Sequence, residues 1–144
     1  SRMDSLQAGV LNFRLKRLKK IINLRRKNIQ LYLKNLDLDN VYFPIETKNE
    51  FNTYHTFVIQ TKYRDELKEH LSKNAIDTAI HYPIPIHLQP AAKKLGYKIG
   101  AFPIAEKQSK EILTLPINQY LEKNDLKRII TAINQFKNKA SRDD

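Results

Sequence analysis

Between Leu6 and Leu36 the apolar residues return at intervals of three, four or seven. Leu11, Leu15, Leu18, Ile22, Ile29, Leu33 and Leu36 form one stripe, which Leu6, Val10 and Phe13 widen at its start. No proline interrupts residues 4–36, and Gly9 is the only glycine among them. The pattern predicts one long helix over 4–36, with Asp4 in its first turn, where the helix dipole favours an anion. At the α-helical rise such a helix spans roughly 45–50 Å. A helix that long joins two bodies or packs along a partner.

After residue 36 the period shortens. Residues 37–40 are a turn, and 41–43 a short strand stopped by Pro44. Residues 46–53 are polar and loop-like. The clearest strand lies over 54–60, rich in β-branched and aromatic residues. Thr61 is the expected cap of a helix that ends near Lys73 and Asn74, with Leu67 and Leu71 facing inward. A second strand over 75–80 follows. Beyond Pro90 the signals give a short helix over 91–95 with Gly96 at its C′ position, a helix from Pro103 through Lys110, and a strand over 112–115 ended by Pro116. The last helix covers 123–138, with Leu126, Ile129, Ile130, Ile133 and Phe136 as its apolar face, and 140–144 fray. The order predicts an α/β class, a small antiparallel or mixed sheet covered by helices.

One stretch fits neither period. His81-Tyr82-Pro83-Ile84-Pro85-Ile86-His87-Leu88-Gln89-Pro90 carries three prolines. They fix φ, remove backbone donors and push their predecessors toward extended geometry. The expected result is a stiff, extended segment bearing two imidazoles, a phenol and an amide. It is either a rigid connector between a strand and a helix or a site.

Charge changes the picture next. Twenty-six Lys and Arg stand against fifteen Asp and Glu, a net +11 in 144 residues. Such a balance favours polyanions: nucleic acid, an anionic membrane or phosphorylated small molecules. Arg14, Lys16, Arg17, Lys19, Lys20, Arg25, Arg26 and Lys27 crowd the first helix. They fall mostly off the apolar stripe, without interleaved aromatic stacking platforms, so a solvated face is the expectation and a nucleic-acid-binding module the alternative. The chain has no cysteine, which excludes disulfides, zinc-thiolate and iron–sulfur sites, and fits the cytoplasm. Its three glycines exclude a Gly-rich phosphate loop. No apolar run approaches the roughly 18–20 residues of a membrane helix, and no signal peptide is visible. The histidines at 55, 70, 81 and 87 are too scattered to predict a metal site, and His55, within a strand, is expected to be structural.

Four segments, in order, resemble one family. Ser1-Arg2-Met3-Asp4-Ser5-Leu6-Gln7-Ala8 is similar to "N-x-R-M-x-E-L-Q-A-A" of the DegT/DnrJ/EryC1/StrS family of pyridoxal-phosphate-dependent nucleotide-sugar aminotransferases. Tyr54-His55-Thr56-Phe57-Val58-Ile59 resembles its "H-x-F-V-I" strand, and the stretch from Ile80 to Gln89 its "H-Y-x-x-P-x-H" loop. Phe102-Pro103-Ile104-Ala105-Glu106 and Ile112-Leu113-Thr114-Leu115-Pro116-Ile117 resemble "F-P-x-A-E … L-S-L-P".

The resemblance implies the small domain of a fold-type-I aminotransferase. Residues 1–36 would be the connector leaving a large cofactor domain, and 37–144 the small C-terminal domain. The unusual start, Ser1-Arg2-Met3, then falls inside a family motif. The implied cofactor is pyridoxal 5′-phosphate. The implied substrates are an amino donor, commonly glutamate, and a keto-sugar linked to a nucleotide diphosphate, handled by a homodimer without membrane. The lysine that holds the cofactor, and the asparagine reaching its phosphate, would lie before Ser1. No lysine of this chain matches the former, so no catalytic residue is assigned within it, and the chain alone is expected to be inactive. His81, Tyr82 and His87 match the loop lining the sugar-nucleotide pocket, and Arg2 the motif arginine near the subunit interface. The form of the loop suggests amination at ring position 3 or 4. A non-catalytic, sugar-nucleotide-binding relative is the alternative within the same family.

Overall fold

The computed structural model describes residues 2–37 and 41–137. The expected turn at 37–40 and the frayed end at 140–144 lie largely or wholly outside the described residues; the helix expected over 123–138 ends earlier, at Asn134, where the Phe136 N–H turns back to the Ile133 carbonyl at 3.1 Å.

The predicted single N-terminal helix is two: α1 (Ser5–Leu15) and α2 (Leu18–Asn35). Asp4 is the cap of α1 rather than a member of its first turn, its carboxylate accepting from the Gln7 N–H at 2.8 Å. Between the helices the backbone tightens: the Arg17 N–H donates to the Arg14 carbonyl at 2.9 Å, an i to i−3 bond, while Lys16 and Arg17 keep negative φ. No proline or glycine marks that place, which is why the apolar period runs through it unbroken. α1 buries none of its residues, whereas α2 sinks Ile29 and Tyr32 into the core.

The sheet is a single antiparallel pair, β1 (Phe57–Gln60) against β2 (Ile112–Leu115), in the register Phe57 to Leu115 and Gln60 to Ile112. Phe57 and Ile59 alternate inward from β1. The strands expected over 41–43 and 75–80 reduce to single antiparallel bridges, Tyr42 with Gln60 and Ala79 with Thr114. Pro44 stops the first. The second begins late because α3 (Arg64–Lys73) ends in a Schellman turn: Ile76 N–H reaches the Leu71 carbonyl at 2.9 Å, Ala75 N–H reaches Ser72, and Ala75 takes φ +53°. Thr61 is not the cap of α3, a position Tyr63 holds. It makes the turn before it, its hydroxyl accepting from the Tyr63 N–H at 3.2 Å.

The core lies between this pair and three helices. Tyr32 of α2 stacks on Phe57 at 5.1 Å, Phe43 adds an inclined contact, and Leu67 and Leu71 of α3 close one side. On the other side α5 (Lys123–Asn134) contributes Leu126, Ile129, Ile130 and Ile133, and Phe136 follows it, the apolar face expected from the sequence. A capping box of Glu122 and Asp125 starts α5. Asn134 ties α5 to α2, donating to the Asn35 carbonyl at 2.8 Å and accepting from the Asp37 N–H at 3.0 Å.

Two members of the basic run are not solvated. Arg25 Nη1 donates to the carbonyls of His55 (2.9 Å), Tyr54 (3.1 Å) and Ile117 (3.3 Å). Arg26 forks onto both carboxylate oxygens of Glu46 at 2.8 and 2.9 Å and onto the Asn52 carbonyl, with its guanidinium over the Phe51 ring. Both fasten α2 to the loop before β1. No helix is long and apolar enough to cross a membrane among the described residues.

Candidate functional site

The proline-rich segment is folded, not simply extended. Pro85, at φ −58° and ψ 147°, leads into a 3₁₀ turn at Ile86–Leu88, and Pro90 opens a second, Pro90–Leu95. Proline is barred from helix interiors but suits a first turn, where its missing N–H costs nothing. Gly96 ends the second turn at φ +75°, the C′ position expected of it. A helix α4 (Pro103–Glu111) then delivers the chain directly into β2.

The start of the segment is pinned to the sheet. Ala79 and Thr114 exchange backbone bonds at 2.7 and 3.2 Å, which brings His81 Nδ1 to 3.0 Å from the Thr114 hydroxyl. The Tyr82 ring meets His81 edge to face at 5.5 Å and is otherwise largely open to solvent. The far end is pinned to α4. His87 Nε2 lies 3.0 Å from Glu106 Oε1, with the two side chains 8% and 12% exposed. The same carboxylate accepts from the Gly100 N–H at 2.8 and 2.9 Å and from the Phe102 N–H at 3.3 Å. Gly100, at φ +92°, aims that N–H in a conformation L residues rarely adopt. The bond from Gly100 does most to hold the Glu106 carboxyl below the usual carboxylate range, and Phe102 and His87 add to it. Because the ionised carboxylate only accepts, His87 presents a protonated Nε2 to it.

Between the two pins lies a groove of about 540 Å³, walled by Tyr82, Ile84, Ile86, Leu95, Tyr97 and Phe102. Phe102 packs on His87 at 4.8 Å and on Tyr97 at 5.1 Å. The lining is mainly apolar, with Gln89, Gln108 and Ser109 supplying polar atoms, and no lysine reaches it.

The structure thus gathers three of the four expected site residues. Tyr82 and His87 line the groove, and His81 stands beside it through its contact with Tyr82. Arg2 does not line it; it is exposed, ahead of α1. The strand expected over 54–60 begins only at Phe57, so His55 lies exposed in the bend before β1, where its backbone carbonyl, not its imidazole, is engaged by Arg25. His70 is packed in place, its Nε2 2.9 Å from the Ala132 carbonyl and its ring against Phe136. Among the described residues no group of three or more His, Asp or Glu side chains could hold a metal ion. Sequence reasoning placed Glu106 in the F-P-x-A-E resemblance without giving it a role, and passed over Gly100. A scarce glycine a few residues before an acid in a helix's first turn was the available signal.

The chain matches the DegT/DnrJ/EryC1/StrS aminotransferase family over residues 1–134. It is 36% identical over 137 residues to a dTDP-3-amino-3,4,6-trideoxy-alpha-D-glucose transaminase of Streptomyces venezuelae, covering 94% of this chain and 36% of the relative. It is 35% identical to a pleiotropic regulatory protein of Geobacillus stearothermophilus, covering 94% of this chain and 37% of that one. Among solved structures, S. venezuelae DesV in complex with a ketimine intermediate superposes with a TM-score of 0.89 at 36% identity, over 93% of this chain and 36% of that one. The chain therefore spans just over a third of the length of the relatives it matches. With the four motif segments in order and nearly the whole chain matched, it belongs to the DegT/DnrJ/EryC1/StrS aminotransferase family and has the small-domain architecture of a fold-type-I sugar aminotransferase.

Proposed function

We propose that this chain is the C-terminal portion of a pyridoxal-phosphate-dependent aminotransferase that moves an amino group, with glutamate as donor, to the keto-sugar of a nucleotide diphosphate. The observation that carries the reading is the seat of the His81–Gln89 loop. It is pinned at both ends and presents an imidazole and a phenol at the mouth of a groove, within a family match covering 1–134. Relatives in Streptomyces venezuelae and Aneurinibacillus thermoaerophilus are both named for 3-amino dTDP-sugars, which favours amination at ring position 3 over position 4.

The groove does not fit as the cofactor's holder. It has no lysine and no acid placed to pair with a pyridine nitrogen, and Glu106 is already saturated by Gly100, Phe102 and His87. Pyridoxal phosphate supplies the amino-carrying chemistry from outside this chain, and this chain alone is inactive. Its own part is to bind and orient the nucleotide sugar. His81 and Tyr82 offer hydrogen bonds to hydroxyl or phosphate oxygens. Arg2, near the subunit boundary of a cytoplasmic homodimer, offers a cation. Residues 1–36 form the connector and 37–144 the small domain, with Ile29 and Tyr32 of the connector built into that domain's core.

The test is steady-state kinetics on the full-length protein. His81→Ala or Tyr82→Phe raises KM for the nucleotide keto-sugar about tenfold, the effect of losing one ground-state hydrogen bond to a charged group, and leaves KM for glutamate unchanged. Unchanged kinetics in both variants would remove these residues from the site.

A further inference from the structure

The loop that carries Tyr82 and His87 is not held by burial. Tyr82, Ile84 and Ile86 are all exposed. Beyond the His81–Thr114 pin at its start, its own hydrogen bonds are local: Leu88 N–H to the Pro85 carbonyl, Gln89 N–H to the Ile86 carbonyl, and the Gln89 side chain to the Ile84 carbonyl. None of these fixes the loop relative to α4. That task falls to the His87–Glu106 pair, supported by the packing of Phe102 on the imidazole.

Glu106 is suited to it. It sits at the start of α4, where the exposed amides of a helix N-terminus favour a carboxylate. It reaches back to the Phe102 N–H, bridges to Gly100, and still has a lone pair for His87. Three chain segments, the substrate loop, the Gly96–Phe102 turn and α4, therefore meet on one carboxylate. A carboxylate so enclosed is retained only when its bonds are complete, so the three segments are fixed together or not at all.

Resting on the functional reading above, we propose that Glu106 is the positioning residue of the nucleotide-sugar loop. Acting through His87, it sets the depth and orientation of Tyr82 and His87 over the groove without touching substrate itself. Its removal loosens sugar-nucleotide binding and leaves the amino-donor half of the reaction alone.

The experiment uses the full-length protein, with dTDP-glucose and UDP-N-acetylglucosamine as binding probes in calorimetry. Amide exchange is followed at Leu88 and Gln89 and, as a control, in α5. In Glu106→Ala the Kd for the probe that binds wild type rises about tenfold or more, equivalent to 1.4 kcal/mol or more. Glu106→Gln, which keeps an acceptor for Gly100 and Phe102, restores part of that loss. Exchange at Leu88 and Gln89 quickens while α5 protection and the rate of the donor half-reaction stay within about twofold of wild type. If Glu106→Ala does not fold, the Kd of Glu106→Gln decides, with a threefold rise or more required. An unchanged Kd overturns the proposal, and so does a parallel loss of α5 protection. A wild-type protein that binds neither probe overturns the functional reading, and this one with it, before any variant is made.

Discussion

The body and the groove lobe of this protein use apolar residues in opposite ways. In the body, Ile59 of β1, Leu67 and Leu71 of α3 and Leu126 of α5 vanish from solvent against Tyr32 and Phe57. In the lobe, from Tyr82 to Ile104, Ile84, Ile86, Leu95, Tyr97, Ile99 and Ile104 all stand exposed. The same residue types thus fold one region and line a surface in the other. The body is held by burial, and the lobe by a few hydrogen bonds around Glu106 and by turns.

The largest expected effect separates the two directly. Ile59→Ala removes a side chain that is 0% exposed and should cost about 2–5 kcal/mol of unfolding free energy. Ile86→Ala removes one that is 81% exposed and should change stability by less than about 0.5 kcal/mol. Urea denaturation of both variants measures the pair. Equal losses would erase the distinction.

How far this division could be read from sequence depends on where each signal lies. The apolar face of α5, the cap at Gly96 and the bounds of β2 are written in adjacent residues, and they appear where expected. The break at Lys16 and Arg17 carries no breaker residue, so the stripe hides it. The edge strands shrink because Pro44 and the left-handed Ala75 act on backbone geometry that periodicity does not register. Arg25 and Arg26 look like members of a solvated run, yet their partners lie 20 to 92 residues away. The groove's clamp was illegible for the same reason: His87 and Glu106 are 19 residues apart, and two of the other donors are backbone amides. The proline-rich loop itself was legible because its prolines and imidazoles are contiguous.

A second, smaller effect sharpens the comparison through acid. Each region contains a carboxylate held below its ordinary range. Glu46 is lowered chiefly by the Arg26 fork and then by the Asn52 N–H, and Glu106 chiefly by the Gly100 N–H. A carboxylate with a depressed folded-state pKa stabilises fully above its unfolded value, about 4.3, and that contribution disappears as pH falls through the folded value. Below about pH 4 the lobe should therefore lose protection first at Gly100 and Phe102, while amides in β1 and β2 keep theirs until global unfolding. Protection factors from hydrogen exchange, corrected for the intrinsic pH dependence, follow both. Arg26→Ala should remove the larger part of the share due to Glu46, leaving that of the Asn52 N–H, and flatten the acid dependence of global stability. An unchanged slope would mean that the Arg26–Glu46 fork does not couple to folding.

The smallest effect concerns how each region turns its corners. The lobe places glycine where φ is positive, at Gly96 and Gly100, and so turns without a steric cost. The body does not: Ala75 holds φ +53° to close the Schellman turn of α3. An L residue there costs roughly 1–2 kcal/mol in backbone sterics. The exposed methyl of Ala75 gains little in return, and Ile76, buried beside Leu71, supplies the apolar contact of the motif. Ala75→Gly relieves that cost but frees the unfolded chain by about 0.4–1 kcal/mol. The net expectation is a gain of about 0.5 kcal/mol in unfolding free energy, read as a higher urea midpoint with m unchanged. Gly100→Ala carries the opposite sign, because the same steric cost is added to a turn whose amide must still reach Glu106. If Ala75→Gly instead destabilises, the left-handed residue is held by the helix end at no steric cost, and the body and lobe do not differ in how they turn.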